Sequence, residues 1–287
     1  MSRPVVIKHP RRIRRIILSC KSKQKTIGFV PTMGALHEGH LSLIERARDE
    51  NDIVVVSIFV NPSQFAPGED YSRYPRPFRK DMERCSEAGV DYLFYPSARQ
   101  MYPEDYSTWV DVKGLSQLLC GKFRPVHFRG VVTVVLKLFH MVMPDIAYFG
   151  KKDYQQFVII KKMAKDLNLN ITIKGMPIIR EKDGLAKSSR NQYLTENQRR
   201  ESLLLYRSLK EARQAIQKGL KDPQKVIRML KRTLFSGPVI KHKDIDYIAV
   251  FHPDTLEEVK TIKKKCVIAL AVRVGKARLI DNIEVTI

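Results

Sequence analysis

Four short segments hold the residues whose types and spacing suit chemistry. The first is Met33-Gly34-Ala35-Leu36-His37-Glu38-Gly39-His40, lying between the apolar run 26–31 (TIGFVP) and the amphipathic stretch 41–50 (LSLIERARDE). A zinc-protease helix needs histidines at i and i+4 so that both face one metal. His37 and His40 stand at i and i+3 with a glycine between them, which argues against that pairing. Gly34 and Gly39 suit a backbone that approaches a ligand closely at a helix N-terminus, where N–H groups attract phosphate. Two roles stay open for the imidazoles: donors that offset charge on phosphoryl oxygens, or caps on the helix that follows.

The second segment, 61–65 (NPSQF), comes directly after the β-branched run 53–60 (IVVVSIFV). That is the carboxyl end of a strand, where open α/β sheets place ligands. Asn61 and Gln64 carry amides that donate and accept, suited to a hydroxyl or carboxylate, or else serve as turn residues. The third is Gly150-Lys151-Lys152-Asp153, with Gln156 close behind. A lysine there neutralises phosphate, and Asp153 can hold a ribose hydroxyl, hold Mg²⁺ or cap a helix. The fourth, 183–191 (DGLAKSSRN), sets Ser188 and Ser189 between Lys187 and Arg190, a set that can wrap a triphosphate or serve as a solvated linker.

Elements to position these residues follow from the pattern. Strand, loop and helix over 26–50, then the run 53–60, make a βαβ unit with parallel strands. Further strand signals lie at 90–95 (VDYLFY), 145–150 (DIAYFG) and 171–175 (ITIKG), and the helical spacing of 153–169 closes a second βαβ unit. The segment 130–144 (GVVTVVLKLFHMVMP) is read as a buried helix on its length. After Arg180 the pattern predicts helices over 195–219 and 223–235, then strands in IDYIAVF, VIALAVRV and NIEVTI. The fold class expected is α/β, a Rossmann-like domain with a parallel sheet over 1–183, and a smaller α+β C-terminal lid over 184–287, with the basic serine loop at the hinge.

Composition sets outer limits. The 287 residues are 44% hydrophobic and 29% charged, those of an ordinary globular chain rather than a disordered one. The longest uncharged stretch, 53–68, is broken by Pro62 and Pro67 and falls short of the roughly 20 apolar residues of a membrane span. The leading segment MSRPVVIKHPRRIRRIIL is basic but interrupts its apolar residues with arginines, unlike a secretory signal, so a cytoplasmic location is expected. Cys20, Cys85, Cys120 and Cys266 are far apart with no CxxC pair, and read as reduced packing residues. A net charge of +22 favours phosphorylated or polyanionic partners. The charge is dispersed, however: residues 184–287 hold 22 of the 52 Lys and Arg and 11 of the 30 Asp and Glu. A nucleic-acid interface would need cations interleaved with aromatics on one face; none is expected.

The segments PTMGALHEGH, VVVSIFVNPSQF, YPR, HFRGVVTVV, PDIAYFGKKDYQQ and DGLAKSSRNQYL, in this order over 26–194, resemble the pantothenate synthetase (pantoate–β-alanine ligase) family. The resemblance implies a Rossmann-like nucleotidyltransferase domain with a C-terminal lid, a homodimer, and a reaction in two steps. ATP and pantoate first give pantoyl adenylate and pyrophosphate, with Mg²⁺ accompanying ATP. β-Alanine then displaces AMP and pantothenate is formed. It also implies site roles. Met33 to His40 contact ATP, with His37 and His40 on its phosphates and His40 as general acid. Gln64 and Gln156 hold pantoate, Gln64 also lying near β-alanine, and Asn61 supports that pocket. Gly150, Lys151, Lys152 and Asp153 bind the nucleotide, Lys152 on phosphate and Asp153 on ribose. Ile179 lines adenine, Lys187, Ser188, Ser189 and Arg190 grip phosphates, and Arg129 is a further anion contact. No protein nucleophile is needed, since positioning and cationic donors serve both steps. The chain departs from the family pattern at Lys151, where Glu or Gln is more usual, and at Lys187, where Leu or Met is. Both departures add positive charge beside the expected triphosphate.

Overall fold

The computed structural model describes residues 3–287. In chain order its elements are β1 (Val5–Ile7), α1 (Pro10–Lys21), β2 (Ile27–Thr32), α2 (Glu38–Glu50), β3 (Ile53–Ile58), α3 (Phe78–Glu87), β4 (Tyr92–Phe94), α4 (Ala98–Met101), α5 (Cys120–Phe123), α6 (His127–Val142), β5 (Ile146–Gly150), α7 (Tyr154–Asp166) and β6 (Thr172–Met176). There follow α8 (Glu196–Gln217), α9 (Pro223–Leu234), β7 (Ile245–Phe251), β8 (Lys265–Val274) and β9 (Ala277–Thr286). Contacts divide the chain into two compact units. The first runs to Ser116 and adds Arg124–Lys151 and Gln156–Pro177; the second takes Gln117–Phe123, Lys152–Gln155 and Ile178–Ile287.

The first unit is built on a six-stranded sheet in the order β1-β4-β3-β2-β5-β6, parallel throughout. Strands buried on both faces must be apolar at every position, and β3 meets this with Val54, Val55 and Val56 fully buried. Alternation decides which face each side chain serves. On β2, Val30 joins Ile44 and Ala47 of α2 in one cluster, while Phe29 sets its ring edge-on to Phe139 of α6 at 6.4 Å. The segment 130–144 is helical as far as Val142, within α6, as its length suggested.

The chain passes from β2 outward to β3 and β4, whereas β5 returns to the other side of β2. The carboxyl ends of β2 and β5 thus flank the point where strand order reverses, the place where such sheets bind ligands. The basic stretch near the start hides β1 and α1, which the sequence pattern did not reveal. In α1, Ile13 and Ile17 are buried one turn apart, while Arg11, Arg12, Arg14 and Arg15 face solvent. Met1 and Ser2 of that leading segment lie outside the described residues.

In the second unit β7, β8 and β9 form an antiparallel sheet. Leu205, Leu209, Ala212 and Ile216 of α8 repeat at helical spacing, and with Val226, Leu230 and Leu234 of α9 they pack on Ile268, Leu270, Val272 and Val274 of β8. The final strand starts at Ala277, before the NIEVTI predicted. No helix among the described residues is long and apolar enough to cross a membrane.

Candidate active site

The loop between β2 and α2 bends through two left-handed residues, Gly34 at φ 84° and Ala35 at φ 49°. It then enters α2 with His37 as N-cap. His37 Nδ1 accepts from the N–H of Gly39 at 3.2 Å, and His40 Nδ1 accepts from the N–H of His37 at 3.2 Å. The rings lie 4.1 Å apart between centroids. Capping is therefore realised by both residues. A neutral ring that accepts at Nδ1 carries its proton on Nε2, so each ring has its donor edge opposite the cap.

The loop's amides are not the open phosphate donors that the sequence suggested. Gly34 N–H donates to Thr32 Oγ1, Ala35 and Leu36 donate to the Asp81 carboxylate, and His40 donates to the carbonyl of His37. With His37 and Gly39 engaged as above, the backbone is largely satisfied within the protein. That shifts the expected anion chemistry of this loop from its amides to its imidazoles.

After β3, Pro62–Gln64 form a 3-10 turn capped by Asn61, whose Oδ1 accepts from Ser63 N–H, Ser63 Oγ and Tyr102 Oη. Asn61 Nδ2 donates to Gln64 Oε1 at 3.0 Å and to the carbonyl of Gly130 at 3.1 Å. The Gln64 amide is thereby turned, and its NH₂ points at Met33 Sδ, 3.1 Å away, at the carboxyl end of β2. Gly130 is required by close approach: a Cβ there would come within 2.3 Å of the Ser63 carbonyl oxygen.

The motif containing Gly130 places its other residues unexpectedly. Arg129 is exposed, with its guanidinium 5.2 Å from the centre of the Trp109 ring. His127 instead donates from Nδ1 to the Gln64 carbonyl at 2.9 Å. Arg124 joins it there and forms two 2.7 Å bonds to Glu69. Burial pushes the Glu69 carboxyl up, but the Arg124 bonds and charge prevail and hold it below its ordinary value. Sequence reading missed Tyr102, Arg124 and His127, since a lone Tyr or His carries no spacing signal.

Gly150 ends β5 beside β2, and Lys151, the first residue of the 3-10 turn that follows, still belongs to the first unit; Lys152 and Asp153 belong to the second. Gln156 is half-buried in α7. In the second unit, Asn282 of β9 donates from Nδ2 to the Lys152 carbonyl at 3.0 Å. Residues 179–187 double back as a hairpin: Lys187 N–H donates to the Ile179 carbonyl at 2.9 Å, and Arg180 pairs with Ala186. Arg180 anchors it through two bonds to buried Asp281, at 2.7 and 2.9 Å, with its guanidinium 3.7 Å over Tyr206. Burial still lifts the Asp281 carboxyl above its ordinary value. Lys187 pairs with Glu181 at 2.9 Å, so the added charge expected at this position is offset within the hairpin. Ser188 caps the turn Ser189–Tyr193, accepting from Arg190 N–H, and a small pocket of this unit sets Lys152, Ser188, Asn191 and Asp281 beside an apolar wall that includes Leu185 and Leu205.

Among the described residues, no three His, Cys, Asp or Glu side chains are grouped to hold a metal ion. A divalent cation here would be held chiefly by phosphate oxygens and water, the usual habit of Mg²⁺ with nucleotides.

A family model described as pantoate-beta-alanine ligase matches residues 5–284. A pantothenate synthetase of Caldicellulosiruptor bescii is 52% identical over 281 residues, covering 98% of this chain and 99% of its own. The crystal structure of pantothenate synthetase from Thermus thermophilus superimposes with a TM-score of 0.93 at 44% identity, covering 99% of this chain and 100% of that one. A pantoate-beta-alanine ligase from Francisella tularensis, complexed with beta-gamma ATP and beta-alanine, gives a TM-score of 0.78 at 36% identity. It covers 98% of this chain and 97% of its own.

Proposed function

The chain belongs to the pantoate–beta-alanine ligase family, and we infer on that premise that it condenses pantoate with β-alanine using ATP, releasing pantothenate, AMP and pyrophosphate by way of a pantoyl adenylate. The observation that carries the site assignment is the pair of histidines on the β2 loop. Both rings are held at Nδ1 at the carboxyl edge of the sheet, beside the strand reversal.

In the first step a pantoate carboxylate oxygen attacks the α-phosphorus and the bond to pyrophosphate breaks. Negative charge builds on the departing phosphates, where the Nε2–H groups of His37 and His40 donate; because its Nδ1 accepts from His37 N–H, His40 acts there as a hydrogen-bond donor that keeps its proton, in place of the general acid that the resemblance implies. Lys152, Ser188, Ser189 and Arg190 supply further phosphate donors, while Lys187, paired with Glu181, adds little net charge to the set. Gly150, Lys151 and Asp153 hold the nucleotide, Asp153 at the ribose, with Ile179 against adenine. Mg²⁺ accompanying ATP would neutralise part of the phosphate charge.

Gln64, turned by Asn61, offers NH₂ to the acceptor oxygens of pantoate, and Gln156 offers a second amide. In the second step the amine of β-alanine attacks the acyl carbon, the bond to AMP breaks, and the nitrogen loses a proton. Placement and the good leaving group serve this step. The resemblance supports Arg129 as an anion contact of the free surface, a homodimeric assembly and a cytoplasmic setting. The test is release of pyrophosphate from ATP and Mg²⁺ that depends on pantoate, with AMP and pantothenate formed once β-alanine is added; release without pantoate would count against the assignment.

A further inference from the structure

Between β2 and α2 the chain makes a bend that its sequence alone does not favour. Gly34 adopts the left-handed region without penalty, but Ala35 follows it there at φ 49°, a conformation an alanine seldom takes. Two successive left-handed residues turn the N–H groups of Ala35 and Leu36 inward together, the kind of concavity that elsewhere receives an anion. Here the anion is a side chain. Asp81 of α3, 1% exposed, accepts from Ala35 N–H at 2.9 Å on Oδ2 and from Leu36 N–H at 2.8 Å on Oδ1.

Arg84, one turn further along α3, donates to the carbonyl of Leu36. Helix α3 thus holds Leu36 by both its amide and its carbonyl. The fit is close: a Cβ on Gly34 would lie 3.0 Å from Asp81 Oδ2 and 2.9 Å from Ile58 Cγ2. Burial alone would push the Asp81 carboxyl up, the two N–H bonds and the Arg84 charge oppose it, and burial prevails. Burying a carboxylate for packing alone is unfavourable, so its return lies in the geometry it imposes on the loop.

We propose that Asp81 is a positioning residue for ATP: its carboxylate fills the concavity under Gly34–Leu36 and so fixes the bend that aims His37 and His40 at the phosphates. This rests on the reading that the loop carries ATP. Asp81 itself touches no substrate in this scheme; it acts through Ala35 and Leu36. Pantoate is held by Gln64 and Gln156 on other segments, which gives the role a signature of its own.

Steady-state kinetics of Asp81→Asn test it, with each substrate varied in turn and a thermal melt alongside. An amide accepts one of the two N–H bonds and opposes the other with a donor. The expected result is a KM for ATP raised about tenfold or more with a lowered kcat, and KM values for pantoate and β-alanine within about twofold of the starting chain. Gly34→Ala, which crowds the same carboxylate from the loop side, should give the same split and remains available if Asp81→Asn does not fold. The double variant should be no worse than the poorer single one, since both act through one contact. Equal rises in KM for all three substrates, an unchanged KM for ATP, or effects of the two substitutions that add in full would overturn the proposal. Absence of pantoate-dependent pyrophosphate from the unaltered protein would instead sink the assignment of function, and this proposal with it.

Discussion

Asn61 Nδ2 donates to Gln64 Oε1 across 3.0 Å, and that bond decides which end of the Gln64 amide faces the carboxyl edge of the sheet. Asn61 is in turn held by Tyr102 Oη at 2.9 Å. The chain Tyr102, Asn61, Gln64 therefore sets a donor rather than an acceptor at the proposed pantoate position.

Tyr102→Phe removes the first link and keeps the ring that packs near Phe59 and stacks with Trp109. A lost bond of about 1 kcal/mol raises the KM for pantoate roughly fivefold. Asn61→Ala frees the Gln64 amide to rotate and should cost more. Initial rates at varied pantoate, with ATP saturating, check both; an unaltered KM in Asn61→Ala would mean the amide orientation has no bearing on binding.

His40→Ala removes a ring that has two tasks, and they separate by size. Loss of an electrostatic donor to the leaving phosphates lowers kcat by about 10²–10³. Loss of its Nδ1 cap on His37 costs only about 1 kcal/mol of stability. Rapid-quench measurement of adenylate formation beside a thermal melt should show a large rate loss in a folded protein.

Glu181 stands 2.9 Å from Lys187. Lys187→Met should change the KM for ATP little across a salt series, because the pair is nearly neutral as a unit. Glu181→Gln, which leaves the lysine unopposed, should tighten ATP and steepen the salt dependence. If Lys187→Met alone weakened ATP strongly and in a salt-dependent way, the lysine would be acting on phosphate in spite of its partner.

Arg180→Met leaves Asp281, 2% exposed in its side chain, without its partner. An uncompensated buried carboxylate costs about 3–5 kcal/mol, to be read from denaturant unfolding. Adding Asp281→Leu should recover much of the loss, since an apolar pair of similar volume replaces both charges.

Acid stability has a local source at the start of β2 and β3. The backbone N–H of Thr26, then Lys25 and the Thr26 hydroxyl, hold the Asp52 carboxyl down at about 2. The ordinary value in an unfolded chain is about 3.9. The folded value is the lower one, so the contribution is present above the unfolded value and is lost as pH falls towards about 2. Asp52→Asn should lower Tm at neutral pH and flatten its decline between about pH 4 and pH 2; an acid limb of unchanged slope would place the titration elsewhere.

The parts legible in the sequence were those with a period or a spacing. The run 53–60 read as a doubly buried strand, of which Ile53–Ile58 form β3, and helix α8 showed its face through Leu205, Leu209, Ala212 and Ile216. Less legible were features that depend on partners remote in the chain. Asp81 is 45 residues from Leu36 and looks like any acidic residue in an amphipathic helix. Tyr102 and His127 reach the 61–64 turn from segments without motifs, and the Glu181 that offsets Lys187 is visible only once the hairpin closes. The edge strand β1, three residues long, has too few positions to display alternation.

The central claim, adenylation of pantoate on the loop of His37 and His40, is tested most directly by following pyrophosphate from ATP and Mg²⁺ in a single turnover of the purified protein. The predicted result is a burst that requires pantoate, precedes any addition of β-alanine, and falls by about 10²–10³ in rate in His40→Ala; AMP and pantothenate then appear together when β-alanine is supplied. Pyrophosphate release that ignores pantoate, or a burst of full rate in His40→Ala, would contradict it.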